Sequence, residues 1–290
     1  MRQTSRQHAK FLGWCLSFVL LFAAGYTIWN RSDDITVAIQ SIENPSLWSI
    51  LALLAILVIA LGFVSESFRQ LLNRKGISKD GAKPIEPLEM FWLISVASVM
   101  NWLPLRAGLV GRTVYHNKVN QIPASRSIRV LLEVVVISGG MAGVALLLAV
   151  VGKVILVPQW LMLCVPAILL LPLVVSKCTR CWSISIMCRY VDILLLALRY
   201  WIIFHLIDHS ITLETAIVLG GAGTIASMLP LPTGGLGGRE WVIGLLASWI
   251  TVFPAAIAIG LLADLINRVI ELVVVIPLGF IGMRFIRARL

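Results

Sequence analysis

The sequence predicts an all-α polytopic membrane protein, with about six full transmembrane helices and two re-entrant helical hairpins arranged as an inverted repeat. Three observations lead there. The 290 residues are 59% hydrophobic and only 13% charged, with a mean hydropathy of +0.94, where a soluble domain carries roughly 25% charged residues. Apolar runs near or above the roughly 17–25 residues of a helical bilayer crossing recur along the chain. Two Pro/Gly-rich motifs, Leu103-Pro104-Leu105-Arg106-Ala107-Gly108-Leu109-Val110-Gly111-Arg112 and Leu229-Pro230-Leu231-Pro232-Thr233-Gly234-Gly235-Leu236-Gly237-Gly238-Arg239, interrupt apolar segments at corresponding places in the two halves. Paired breaks of this kind point to a transporter binding site.

The elements follow in order. Residues 11–29 form the first apolar run, behind Arg2, Arg6 and Lys10. The run exceeds the roughly 7–15 residues of a signal-peptide core, so it reads as an uncleaved first helix. Residues 47–64 form the second span, and the polar stretch 65–89 reads as a loop. A hairpin over 87–120 is broken at Pro104, because proline removes a backbone donor and clashes with the preceding turn. A helix over 125–152 then closes the first repeat, 1–152. The second repeat, 153–290, has apolar runs at 154–175 and 191–207, a hairpin over 214–251 broken at Pro230 and Pro232, and a helix over 254–283. Strand-like alternation is absent, which excludes a barrel.

Basic residues orient these elements. Most of the 24 Lys and Arg gather in the N-terminal segment and in 65–89, 105–130, 176–190 and 284–290, whereas 30–46 and 152–153 contain only Arg31 and Lys153. Short loops rich in Lys and Arg stay cytoplasmic, so both termini are expected inside. A full crossing at 87–103 would put the basic residues after it outside. A hairpin entering and leaving from the cytoplasm removes that conflict, and the second hairpin enters from the external side. A further correspondence, Arg129–Ile137 with Arg268–Ile276, supports the duplication.

Ionisable residues at membrane depth are costly and mark function. Arg106 and Arg112 lie near the first break; Arg239 and Glu240 lie at the second. Arginine grips a phosphate bidentately, and a helix start beside glycines adds backbone N–H donors. Arg106, Arg112, Arg239, Gly108, Gly234, Gly235 and Gly237 are therefore the expected lipid-phosphate site, against the alternative that the glycines only permit close helix packing. Asp264, Arg268 and Glu271 share one face of the last helix. With Glu240 and Glu133 they are expected either to carry a coupling proton or Na⁺ or to form an internal ion-pair lock with Arg239 or Arg199. His205, Asp208 and His209 read as an interfacial polar cap. Cys178, Cys181 and Cys188 read as free thiols in a short cytoplasmic loop, so no metal site and no cofactor are expected. The net charge of +10 fits contact with anionic lipid, not nucleic acid.

The segment Pro230-x-Pro232-x-Gly234-Gly235-x-Gly237-x-Arg239-Glu240 resembles the signature of the lysylphosphatidylglycerol synthase transmembrane family, also called flippase-like membrane proteins. Residues 101–112, with their Leu-Pro-x-Arg-Ala-Gly core, resemble that family's earlier motif. The resemblance covers essentially the whole chain. It implies the stand-alone form without the aminoacyltransferase domain, since the 290 residues leave no room for that enzyme. It also implies a lipid transporter of the cell inner membrane, multi-pass, that moves an anionic phospholipid or a lipid-linked phosphate or sugar carrier between leaflets, passively or coupled to an ion. The alternatives are a membrane-embedded enzyme acting on lipid headgroups or polyprenyl phosphates, and an accessory subunit of envelope-glycan synthesis.

Overall fold

The computed structural model describes residues 46–74, 77, 84–102, 107–155, 179–228, 237–251 and 255–289, with isolated positions between 19 and 29. Regular structure among them is entirely helical. The elements are α1 (Leu47–Leu72), α2 (Pro87–Asn101), α3 (Ala107–Lys118), α4 (Ala124–Ile155), α5 (Arg180–Leu206), α6 (Leu213–Met228), α7 (Gly238–Ile250) and α8 (Ala256–Arg287). The expected spans at 11–29 and 154–175 lie largely outside the described residues.

Four helices are long and apolar enough to cross a membrane: Leu47–Leu72, Ala124–Val151, Arg180–Leu206 and Ala256–Arg287. At 1.5 Å per residue each exceeds the roughly 30 Å hydrocarbon core. The chain is thus a helical protein compatible with multiple membrane crossings. The other four helices have 15, 12, 16 and 13 residues, and each falls short of that thickness. They form two packed pairs, α2 with α3 and α6 with α7, at the places expected for the hairpins.

Local chemistry sets the helix limits. Pro87 opens α2 at the first helical turn, where its missing N–H has no partner to lose. Gly237 caps α7 at φ 84°, a left-handed conformation that glycine adopts without steric cost. Two spans run further than their apolar cores. α1 continues through Ser65, Ser67 and Phe68 to Leu72, all buried. α5 begins at Arg180, so the segment expected as a cysteine-bearing loop is its first three turns, and Cys181 and Cys188 lie on it as free thiols. No Pro or Gly interrupts either extension. The polar groups also have helical partners: Ser67 Oγ lies 2.7 Å from Ser185 Oγ across the α1–α5 contact. The last helix likewise continues past Met283 to Arg287, placing cations at its C-terminus where the helix dipole favours them.

Helix contacts follow one rule. α1 packs on α5. In the first half α1 packs on α2, α2 on α3, α3 on α4 and α1 on α4; in the second, α5 packs on α6, α6 on α7, α7 on α8 and α5 on α8. Across the halves α2 packs on α8 and α4 on α6, while α4 meets α5 and α8 meets α1. Exchanging α1–α4 for α5–α8 turns each of these contacts into another on the same list of pairs. Small residues make the crossings close. A Cβ on Gly279 or Gly282 of α8 would meet Val99, Val96 and the Trp92 carbonyl of α2, and one on Gly221 of α6 would meet the Ala142 carbonyl and Leu146 of α4.

One end of the bundle is basic and tied by polar contacts. Asn73 after α1 exchanges two hydrogen bonds with the Ile85 backbone before α2, at 3.0 and 2.8 Å. Buried Glu89 accepts from Tyr115 at 3.1 Å, from Asn120 at 2.8 Å and from Arg289 at 2.6 Å. The start of α2, the end of α3 and the end of α8 therefore meet at one place. The hydrogen bond to Glu86 and the nearby Glu89 charge hold the Arg289 guanidinium above its ordinary pKa. At the opposite end, Trp48 and Trp249 are exposed, as interfacial aromatics are.

Candidate functional site

The second half of the chain builds a charged centre inside the bundle. Arg239 stands in the first turn of α7, and Asp264 stands eight residues into α8, about 12 Å along its axis. Both are buried, at 5% and 0% exposure. Arg239 Nε donates to Asp264 Oδ2 at 3.0 Å, and Nη2 lies 2.8 Å from Oδ1. Tyr200 of α5 donates its hydroxyl to Oδ1 at 2.6 Å. One turn deeper, Arg268 Nε faces the fully buried Glu240 at 3.4 Å. Glu271 lies 3.8 Å from Arg239 and 3.9 Å from Arg268. Arg199 of α5 is within electrostatic reach of Glu271 and Arg239, and its buried Nε and Nη1 have no hydrogen-bond partner among the described residues.

This arrangement changes the expected charge count. Asp264, Arg268 and Glu271 alone carry an excess of acid, but Arg199, Arg239 and Glu240 join them, giving three cations and three carboxylates. Arg239 is thereby already engaged by Asp264. The ion pair with Arg239 is present, and Glu271, 26% exposed, is held more loosely between Arg239 and Arg268. Both side-chain atoms of buried Asn267, and both Glu240 oxygens, lack hydrogen-bond partners among the described residues. Such groups are costly unless something polar reaches them. Trp102, at the end of α2, brings the first half of the chain to this centre: the Arg268 guanidinium sits over its ring at 5.4 Å.

The first half of the chain places Arg112 differently. It lies on α3, 6% exposed, with its guanidinium 4.4 Å from the Phe68 ring centre. Arg189 of α5 approaches the same ring at 5.3 Å and pairs with Asp192 at 3.2 Å. No carboxylate pairs with Arg112 among the described residues, and its buried Nε has no hydrogen-bond partner.

Other expected residues fall elsewhere. Glu133 pairs with Arg74 at 3.3 Å and Arg129 at 3.2 Å near the basic end, apart from the Arg239 centre. Gly108 sits at the α2–α3 crossing, where a Cβ would strike the Ala97 carbonyl. Gly237 supplies the turn into α7. Arg106, Pro104, Pro230, Pro232, Gly234 and Gly235 lie outside the described residues. His205 and His209 place Nδ1 against the carbonyls of Trp201 and Ile207, at 2.9 and 2.6 Å, consistent with a polar cap. Sequence reasoning missed Tyr200, Asn267, Trp102 and Phe68. A tyrosine beside an arginine in the apolar run 191–207 was the available signal for the first.

Neither family models, nor characterised proteins, nor solved structures gave a match to this chain. What the centre can do chemically therefore rests on its own residues. It holds a buried carboxylate between an arginine and a phenol, where charge separation in a low dielectric is strongly sensitive to a proton or an arriving ion.

Proposed function

We propose that the protein is an inner-membrane lipid transporter of the flippase-like family, moving an anionic phospholipid or a lipid-linked phosphate or sugar carrier between leaflets, passively or with a proton or Na⁺. The observation that carries this reading is the Arg239–Asp264–Tyr200 contact, buried about 12 Å into α8 where the short helix α7 begins. Ionisable groups at such depth mark substrate and ion pathways, and short helices meeting at mid-depth are how transporters build a site. The exchange symmetry of the helix contacts supports an inverted repeat of three crossings and one hairpin per half, six crossings in all. The meeting of the start of α2 with the end of α3 supports a hairpin that enters and leaves from one face. The basic end supports cytoplasmic termini.

The test is leaflet exchange of fluorescent phosphatidylglycerol in vesicles containing the purified chain, with and without proton or Na⁺ gradients. Exchange above protein-free vesicles is expected, with Glu271→Gln slowing the gradient-dependent part. Wild-type exchange at the protein-free rate under every gradient overturns the reading.

A further inference from the structure

We propose that Arg112, not Arg239, is the phosphate ligand, and that the cleft beside it receives a phosphate oxygen of an anionic lipid. The inference deepens the transport reading and rests on it for the identity of the lipid, though not for the site itself.

The argument starts from the two repeats. Arg112 and Arg239 close equivalent motifs, each preceded by Leu-Pro and glycines. Matching them sets Thr113 opposite Glu240, and matching Arg129–Ile137 with Arg268–Ile276 sets Ser125 opposite Asp264. The two fully buried acids of the second repeat, Glu240 and Asp264, are hydroxyls in the first, and Glu271 is matched by Leu132. Among the described residues one arginine has its counterion and its twin does not. An isolated buried cation is held only when something offsets it. The Phe68 ring offsets part through its π face but accepts no conventional hydrogen bond, and Nε stays unpaired.

The surroundings fit a phosphate. Arg112 lines a small cleft among α1, α2, α3 and α4, whose other walls include Leu72, Met90, Val130 and Leu131 with Ser127 and His116. Its enclosed part has room for about one water, so a single phosphate oxygen reaches the guanidinium while the rest of the headgroup stays at the mouth. Asn120 donates its amide to Glu89 at 2.8 Å and accepts from His116 Nδ1 at 2.9 Å, which leaves the neutral ring's Nε2 an acceptor, so the donors to the phosphate come from the arginine. Arg189, on the same Phe68 ring, adds a second positive charge already balanced by Asp192. The arginine fork suits a phosphate oxygen.

The experiment is native mass spectrometry of the full chain in lipid-free detergent, titrated with phosphatidylglycerol or with diacylglycerol, which lacks the phosphate. Melting with and without inorganic phosphate is measured beside it. Wild type should retain phosphatidylglycerol well above diacylglycerol. Arg112→Gln should cut that retention at least tenfold, Arg112→Lys should fall between, and Lys118→Gln, an exposed loss of charge on the same helix, should match wild type. Without lipid, Arg112→Gln should melt no lower than wild type, because it removes an unbalanced charge; if it fails to fold, Arg112→Lys carries the comparison. Protection by inorganic phosphate that depends on Arg112, with no lipid preference, assigns the same site to free phosphate. Retention and phosphate protection both unchanged in the Arg112 variants overturn the proposal. Vesicles that show no leaflet exchange refute transport alone, since the binding measurement stands without it.

Discussion

Asp264→Asn is the sharpest perturbation of the buried centre. The asparagine keeps the shape and one acceptor oxygen but loses the charge that holds Arg239. Asp264 is fully buried and Arg239 nearly so, with contacts of 3.0, 2.8 and 2.6 Å concentrated on one carboxylate. Removing one partner of such a pair costs about 3–5 kcal/mol, most of it the penalty of the cation left behind. Glu271, 3.8 Å from Arg239, retains part of the attraction, so the lower end, about 3 kcal/mol, is the expected loss. At roughly 2–4 °C per kcal/mol for a large domain, the melting temperature in detergent should fall by about 6–12 °C. The double variant Arg239→Gln/Asp264→Asn leaves no isolated charge and should recover much of that loss, giving a coupling above about 1 kcal/mol in the double-mutant cycle. Asp264→Asn melting with wild type, or a double variant no more stable than the single one, refutes the assignment of a mutually dependent pair.

Further outcomes are expected. A cysteine replacing Lys118 in a cysteine-free background should react with an impermeant reagent only from the cytoplasmic face, and one replacing His209 only from outside; external labelling at position 118 refutes the re-entrant reading of α2–α3. Gly108→Ala should destabilise the protein by about 1–3 kcal/mol through overpacking against the Ala97 carbonyl, seen as earlier melting with unchanged oligomeric state. Glu89→Ala should destabilise more than Glu86→Ala, because Glu89 is buried and accepts from three side chains, whereas Glu86 is largely exposed.

The helical class and the position of the two short helix pairs were legible because proline and glycine punctuate an apolar sequence sharply. Pro87, Gly237 and the break before Ala107 mark helix limits by backbone chemistry alone. The extensions of α1 and α5 were not legible. Ser65, Ser67, Ser183, Ser185 and Arg189 look like loop residues, and only the packing of α1 on α5 shows them buried. The candidate site divides in the same way. Asp264, Arg268 and Glu271 stood out through helical spacing within one segment. Their partners Arg239, Glu240 and Tyr200 come from other helices, and no periodicity reports which arginine faces which acid. The contrast between Asp264 and Ser125 was present in the aligned repeats, yet it acquired meaning only when Arg239 proved paired and Arg112 did not.

The reciprocal grip of each half on the other has a consequence for how the molecule is made. α2 emerges from the ribosome long before α8, the helix whose Gly279 and Gly282 receive it. At about 5–20 residues per second, the interval is on the order of ten seconds. During it α2 and α3 have the neighbours of their own half but not the surface that seats them, and buried Glu89 has yet to meet Arg289. The α6–α7 pair meets α4 without such a delay, because α4 precedes α6. The order of synthesis is therefore asymmetric in a molecule whose contacts are symmetric, and the α2–α3 pair is the one whose seat on the other half is completed last.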